Sequence, residues 1–469
     1  MQFCIILYRI MLFLDREPEQ ARLDQLLRAP DGGLGVVTGR RRIGKTRLLV
    51  EWCRRHHGVY AVADQSAPDV QRRHLAEAVA TKLPGFADVD YRDWATLLTR
   101  LAREADRSGW RGPVVFDELP YWVGTSPELP SVLQRWIDHD AKAARLVVVM
   151  AGSSQRMMQG LVLDRQAPLF GRASEFFEVQ PLDWSWIRRA AGRLTPRQTV
   201  EFWAAWGGVP RYWELAADDA RDTRSALDRL VLDPSGPLHR EPDRLLLEET
   251  PSALEVRPLL DAIGGGAQRV SEIAARLGRP ATSLSRPLDR LLELGLVVRD
   301  VPFGEPARGT KRSLYRVSDP FTRLWFRVVA PHRGQLVSGT PASRLRVLNR
   351  FWPALVGEAW EQLSRLRLSA CRHPLLGVPG DWSPAQRWWQ GADPEWDVVA
   401  EHSSESRVLL GEAKLGGRLD RIVAEVKGRR PPALPARFGQ HEIIRAVFVP
   451  DASRVTKVDD VAVVSLRHL

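Results

Sequence analysis

Residues 34–57 read LGVVTGRRRIGKTRLLVEWCRRHH, and the fold turns on how this stretch divides. The apolar run from Leu34 to the glycine at position 39 has the pattern of a buried strand. Beyond Lys45, the residues Leu48, Leu49 and Trp52 fall at helical spacing, so a helix follows. Between the two, Gly39-Arg40-Arg41-Arg42-Ile43-Gly44-Lys45-Thr46 fits the pattern GxxxxGK[ST]. Glycines there let consecutive backbone N–H groups converge on phosphates, and the helix N-terminus adds the positive end of its dipole. The expected ligand is ATP with Mg²⁺. Gly39, Arg42 and Gly44 belong to the cradle, Lys45 reaches the β and γ phosphates, and the Thr46 hydroxyl sits on the metal.

Working outward, VYAVAD (59–64), PVVFDEL (113–119) and RLVVVMAGSS (145–154) read as further strands, with helical text such as HLAEAVATKL and DWATLLTRLAREA between them. Continuously apolar strands alternating with helices predict a parallel sheet covered on both faces, an α/β phosphate-loop domain. Asp117, at the carboxyl end of its strand, is placed to hold Mg²⁺ through water, and Glu118 to orient the attacking water. Ser153, with Ser154 beside it, ends the next strand, where a polar residue senses the γ-phosphate. Upstream, Leu23, Leu26 and Leu27 predict a helix broken at Asp31-Gly32-Gly33. The apolar run 1–14, interrupted by Arg9, is too short to span a bilayer. It reads as a first strand, or as text ahead of a start at Met11.

A chain of 469 residues has room for about three domains of ordinary size. Its 44% hydrophobic and 27% charged residues exclude wholesale disorder. The net charge of +11 favours an acidic partner such as nucleic acid. Only 7 of the 68 basic residues are lysines, so a lysine kept in this background marks a place where a compact ammonium suits better than a guanidinium fork. Three scattered cysteines, Cys4, Cys53 and Cys371, form neither a disulfide framework nor a zinc motif, and a reducing cytoplasm fits them. The 17 tryptophans, Trp388 and Trp389 included, read as core rather than as stacking platforms.

Beyond the first domain, tryptophan-rich helical text at 184–247 predicts a small lid. Residues 271–304 read as helix, turn, helix and strand pair, with Gly278 and Pro280 in the turn and Gly295 stopping the second helix, and this resembles a winged helix. Residues 265–335 hold 13 basic against 6 acidic residues, so +7 of the net charge sits here. Ser283, Ser285, Arg286, Asp289 and Arg290 are the residues that would face DNA. The same module can instead serve packing alone.

The motifs DREPE, GRRRIGKT, VVFDELPYW, VVVMAGSS, PLFGR and GGVPRYW, in that order, resemble the archaeal-type P-loop ATPases of the AAA+ and STAND group. That resemblance implies a nucleotide-sensing or finger role for Arg172 and an adenine contact for Pro210. Further on, LYRVSDPFTRLWFR, GEAWEQL, EWDVVA and GEAKL resemble the domain of unknown function that commonly follows these ATPases, and its later part resembles the PD-(D/E)xK nuclease fold. Glu412 and Lys414, two residues apart on a strand, share a face; with Asp397 the two carboxylates can hold Mg²⁺ while the lysine activates water. Glu358, in a helix expected over 351–368, is the supporting acid.

The expected division is an ATPase core at 1–180, a helical lid at 181–250, a winged helix and linker at 251–343, and an α/β restriction-endonuclease-like domain at 344–469. The expected function is a cytoplasmic Mg²⁺-dependent ATPase coupled to a DNA-directed, nuclease-like domain, with oligomerisation left open. An ATP-switched, non-cutting DNA-binding regulator and a protein-binding signalling scaffold remain as alternatives.

Overall fold

Alternate residues of the first sheet's strands face opposite layers, and both layers are apolar. Val37, Val115 and Val149 point to one face, where they pack with Leu23, Leu48 and Trp52; Val36, Phe116 and Val148 point to the other, against Leu75, Leu98 and Leu101. Burial on both faces explains why these strands lack polar alternation.

The computed structural model describes residues 15–153, 155–162, 164–249, 253–306, 309–310, 312–391, 393–452 and 460–469. The run 1–14, with Cys4 and Met11, and Ser154 therefore lie outside the described residues. The chain forms two compact units, one comprising Met1–Trp186 with Gly208–Arg211, the other Ile187–Gly207 with Tyr212–Leu469.

In the first unit, helix α1 (Glu17–Arg28) precedes strand β1 (Gly33–Thr38) and helix α2 (Lys45–Arg55). Strands β2 (Val59–Val62), β3 (Val114–Asp117), β4 (Val147–Ala151) and β5 (Ala173–Glu178) complete a five-stranded sheet of order β2-β3-β4-β1-β5, parallel throughout. Helices α3 (Pro68–Ala80) and α4 (Trp94–Ser108) lie between the strands as expected. Strand β5 is the element the sequence reading missed: ASEFFE sits at the sheet edge with only Phe177 fully buried, so it lacks the apolar run that marks its neighbours.

In the second unit, the tryptophan-rich segment is helical and includes α5 (Pro196–Trp206), capped by a reciprocal Thr195–Gln198 box. The winged-helix segment has α6 (Val270–Leu277), ended by Gly278 at φ +60°, and α7 (Ser285–Glu293). Residues Ala281–Leu284 form a 3₁₀ turn, so Ser283 precedes α7. Strands β6 (Val297–Asp300) and β7 (Leu314–Val317) pair antiparallel behind it.

Helix α8 (Pro341–Leu368) is longer than expected; its cap is Thr340, and it runs through Pro353. It packs on a mixed sheet of strands β8 (Gln386–Trp388), β9 (Trp396–Glu401), β10 (Arg407–Ala413), β11 (Glu442–Val449) and β12 (Val461–Ser465). Strands β8 to β10 are antiparallel; β10, β11 and β12 are parallel, with helix α9 (Leu419–Gly428) crossing between β10 and β11. Trp360 donates its indole N–H to the Phe448 carbonyl at 3.0 Å, tying α8 to β11. Gly411 is obligatory on β10, because a Cβ there would lie 2.5 Å from the Phe448 ring. Trp388 and Trp396 are buried in this core, and Trp389 nearly so.

Arg344 on α8 grips Asp228 with two bonds of 2.7 and 2.9 Å and reaches Asp233 at 3.1 Å, fastening the preceding helices to α8. Removing one partner of a buried pair strands the other charge. Arg344→Ala is expected to destabilise the second unit by about 3 kcal/mol in urea unfolding, whereas loss of the exposed Arg418–Asp420 pair leaves the unfolding midpoint unchanged.

Candidate functional site

Strand β1 ends at Thr38, and the chain turns through residues that only a left-handed backbone allows: Gly39 at φ +141°, Arg42 at +64° and Gly44 at +98°. A side chain at Gly39 would strike the Val179 carbonyl at 2.8 Å. Helix α2 then starts at Lys45, so its unpaired N–H groups face the turn. Lys45 is buried and folds back to donate to the carbonyls of Gly39 and Arg40 at 2.6 and 3.0 Å. Arg16, from the DREPE segment, braces the loop from behind by donating to the Ile43 carbonyl at 2.9 Å while pairing with Glu19.

The acidic pair meets the loop at the carboxyl ends of the strands. Asp117 is fully buried, and its Oδ2 accepts from the Thr46 hydroxyl at 2.8 Å and the Tyr60 hydroxyl at 2.6 Å, while Oδ1 accepts the Glu118 N–H at 2.9 Å. Tyr60, on β2, was missed in the sequence, since a tyrosine in a short strand signals only core. Its ionisation is pushed far upward by burial and by the Asp117 charge, so it remains a donor. Glu118 adopts φ +53°, and both its carboxylate oxygens accept from the Ser153 hydroxyl at 2.8 Å, with the Ser153 N–H adding a bond of 3.2 Å. Pro210 also comes to the loop: its Cγ lies 3.7 Å from where a Gly44 side chain would begin.

Arg172 does not join this cluster. Ala173 pairs with Leu34 at the amino end of β1, the end away from Gly39. Its guanidinium is held by Asp138 at 2.8 and 2.9 Å and by the Pro168 carbonyl. That hydrogen bond lowers the Asp138 pKa, as an established ion pair should.

In the second unit, Ser283, Ser285, Arg286 and Asp289 are exposed and Arg290 is half-buried, while Leu284, Leu288 and Leu291 face inward. Asp397 on β9 and Glu412 on β10 stand on adjacent strands, and Asp397 Oδ2 accepts the Ala413 N–H at 3.0 Å. Glu412 is buried with one oxygen on Lys414 Nζ at 2.6 Å and the other on Arg429 at 2.7 Å. Burial raises the Asp397 pKa, and the Glu412 charge adds to the rise. Glu358, the expected supporting acid, is instead engaged by Arg323 and Arg327 at 3.4 and 3.7 Å. The acid of α8 that feels Asp397 is Glu361, pushed up to about 7 first by burial and then by Asp397. Arg365 donates to the Asp397 carbonyl at 2.7 Å. Burial, then repulsion from Arg316 and Arg387, lower its pKa to about 10. Among the described residues no group of three or more His, Cys, Asp and Glu side chains is arranged to hold a metal ion. None of the described helices is long and apolar enough to cross a membrane.

Residues 13–215 match the model of an ATPase domain predominantly from Archaea, residues 256–313 that of the MarR family, and residues 325–425 that of archaeal and bacterial proteins of unknown function. An uncharacterized protein of Methanocaldococcus jannaschii is 24% identical over 415 residues, spanning 88% of this chain and 90% of that one. Among solved structures, a Walker-type ATPase of Pyrococcus abyssi aligns with TM-score 0.54 at 19% identity, covering 67% of this chain and 96% of its own. The ORC2 protein of Aeropyrum pernix aligns with TM-score 0.45 at 13% identity, covering 72% of this chain and 94% of that chain.

A carboxyl group whose pKa is raised in the folded state favours folding at low pH. The stability tied to neutral Glu361 is fully present below about pH 4.5 and is lost as the pH rises through about 7. Glu361→Gln keeps the neutral shape at every pH. Its melting temperature is expected to match wild type near pH 5 and to exceed it at pH 8; parallel pH curves for the two proteins would show that Glu361 is ionised throughout.

Proposed function

We propose that this chain, which carries an archaeal-type ATPase domain followed by a MarR-type winged helix, is a Mg²⁺-dependent ATPase whose nucleotide state governs a DNA-directed, nuclease-like C-terminal domain. The observation that carries the ATPase part is the convergence of Thr46, Asp117, Glu118 and Ser153 beside the phosphate loop. Thr46 and Asp117 offer hard oxygen donors 2.8 Å apart, a set that suits Mg²⁺, which would neutralise charge on the β and γ phosphates.

The protein's own groups supply the rest. The N–H groups at 39–46 bind the phosphates, and Lys45 exchanges the carbonyls of Gly39 and Arg40 for phosphate oxygens. Glu118, once free of Ser153, orients a water whose oxygen attacks the γ phosphorus as the bond to the bridging oxygen of ADP breaks. Pro210 lines the nucleotide side of the loop.

On this reading the chain divides into an ATPase core at 1–180, a lid at 181–250, a winged helix and linker at 251–343 and the nuclease-like domain at 344–469. The exposed face of α7 supplies the DNA contacts. Asp397 on β9, Glu412 on β10 and Lys414, one residue past the end of β10, supply the nuclease-like centre. The free cysteines Cys53 and Cys371 suit the cytoplasm.

A specific observation favours a second reading, the ATP-switched regulator that binds DNA without cutting it. Both oxygens of Glu412 are taken by Lys414 and Arg429, so a divalent ion at Asp397 and Glu412 requires one of these cations to leave.

Lys45→Ala is expected to abolish ATP binding. Glu118→Gln is expected to keep binding and lower turnover by a factor of about 10² or more in a steady-state phosphate-release assay. Conversion of supercoiled DNA to nicked or linear forms, with Mg²⁺ and with or without ATP, separates the two readings. Cleavage lost in Lys414→Ala supports the nuclease; salt-sensitive DNA binding without cleavage supports the regulator.

A further inference from the structure

We infer that the half-open cavity between the β6–β7 pair, α8 and β8 is an anion site that takes a phosphate ester. The space is about 230 Å³, and four arginines from four elements line it: Arg299 from β6, Arg316 from β7, Arg365 from α8 and Arg387 from β8. Among the described lining residues Asp300 is the one acid, and Arg316 already holds it at 2.7 Å.

The other three guanidinium groups have no carboxylate partner that itself lines the cavity. Arg299 donates to the neutral Thr310 carbonyl at 3.1 Å, and its buried Nε has no partner. Arg365 spends its shortest bond on the Asp397 carbonyl and stands 3.8 Å from Glu361. Arg387 reaches Glu395 at 3.4 Å, a carboxylate that is 61% exposed and therefore screened by water. Asp397 and Glu361 act on Arg365 and Arg387 from outside the cavity lining, while the arginines also repel one another, and an anion entering the cavity offsets that repulsion.

Chemistry narrows the class of anion. Planar guanidinium forks pair with phosphate oxygens through parallel bonds, and forks arriving from three sides suit a tetrahedral oxyanion better than a flat carboxylate. Gln362, Ser369 and Gln386 add neutral hydrogen-bonding groups to the wall. Two sources share this chemistry: the backbone of a nucleic-acid strand, which the adjoining winged-helix strands would help to deliver, and a free phosphate compound such as a nucleotide. The site goes beyond the nuclease-like reading, because it requires neither a metal nor cleavage.

The test uses the full chain carrying Lys45→Ala, so that the phosphate loop does not report, in EDTA, so that hydrolysis does not intervene. Inorganic pyrophosphate binding is measured by calorimetry, and binding of a short fluorescein-labelled DNA strand by anisotropy. The double variant Arg299→Gln with Arg387→Gln is compared with Arg418→Gln, an exposed arginine elsewhere. The expected result is pyrophosphate affinity weakened by about tenfold or more in the double variant alone. DNA binding weakened in step makes the strand the source; DNA binding unchanged makes it a small phosphate compound. If the double variant is poorly folded, Arg387→Lys keeps the charge, loses the fork and is expected to weaken pyrophosphate several-fold. No pyrophosphate binding to the Lys45→Ala chain, or equal binding in the arginine variants and Arg418→Gln, overturns the assignment.

Discussion

A fully buried carboxylate must find donors or forfeit its charge, and Asp117 meets that demand in a way that organises the first unit. Its donors come from three directions: Thr46 at the start of α2, Tyr60 on β2 and the backbone of Glu118. Strand β3 is thereby tied both to its neighbour β2 and to the helix after the phosphate loop. The left-handed turn at Glu118 follows from the same bond and aims that side chain at Ser153. A single charge requirement thus sets the positions of the groups that would bind and cleave the nucleotide.

Arginine chemistry dominates the second unit for a different reason. The chain has 61 arginines, and those that are buried, such as Arg323 and Arg344, need a carboxylate or carbonyl. Asp228 and Asp233 serve Arg344, and Glu358 serves Arg323 and Arg327. Where such partners run short, as around Arg299, Arg365 and Arg387, positive charge is left facing a cavity. Asp397 lies next to that imbalance, through the bond from Arg365 to its carbonyl.

Local pattern made much of this legible. The strand-turn-helix at 34–57 and the four apolar strands of the first sheet follow from hydrophobic period and glycine placement, which are properties of neighbouring residues. That Thr46 and Asp117 gather at one place was legible too, because both oxygens were expected on the same Mg²⁺. Strand β5 was not, since an edge strand gains its identity from the neighbour it pairs with rather than from its own apolar content.

Identity and spacing along the chain were enough to determine that a phosphate loop, an acidic strand end and an E-x-K pair exist here, because each is encoded within a few residues. Which distant groups complete them was decided only by tertiary structure. Tyr60 joins Asp117, Pro210 returns to Gly44, Arg172 is drawn to Asp138 at the far end of the sheet, and Glu358 is drawn to Arg323 and Arg327. In each case the outcome depends on which charges and donors are brought within about 3 to 4 Å by packing, and competition among so many arginines for a limited set of carboxylates is invisible until the chain is folded.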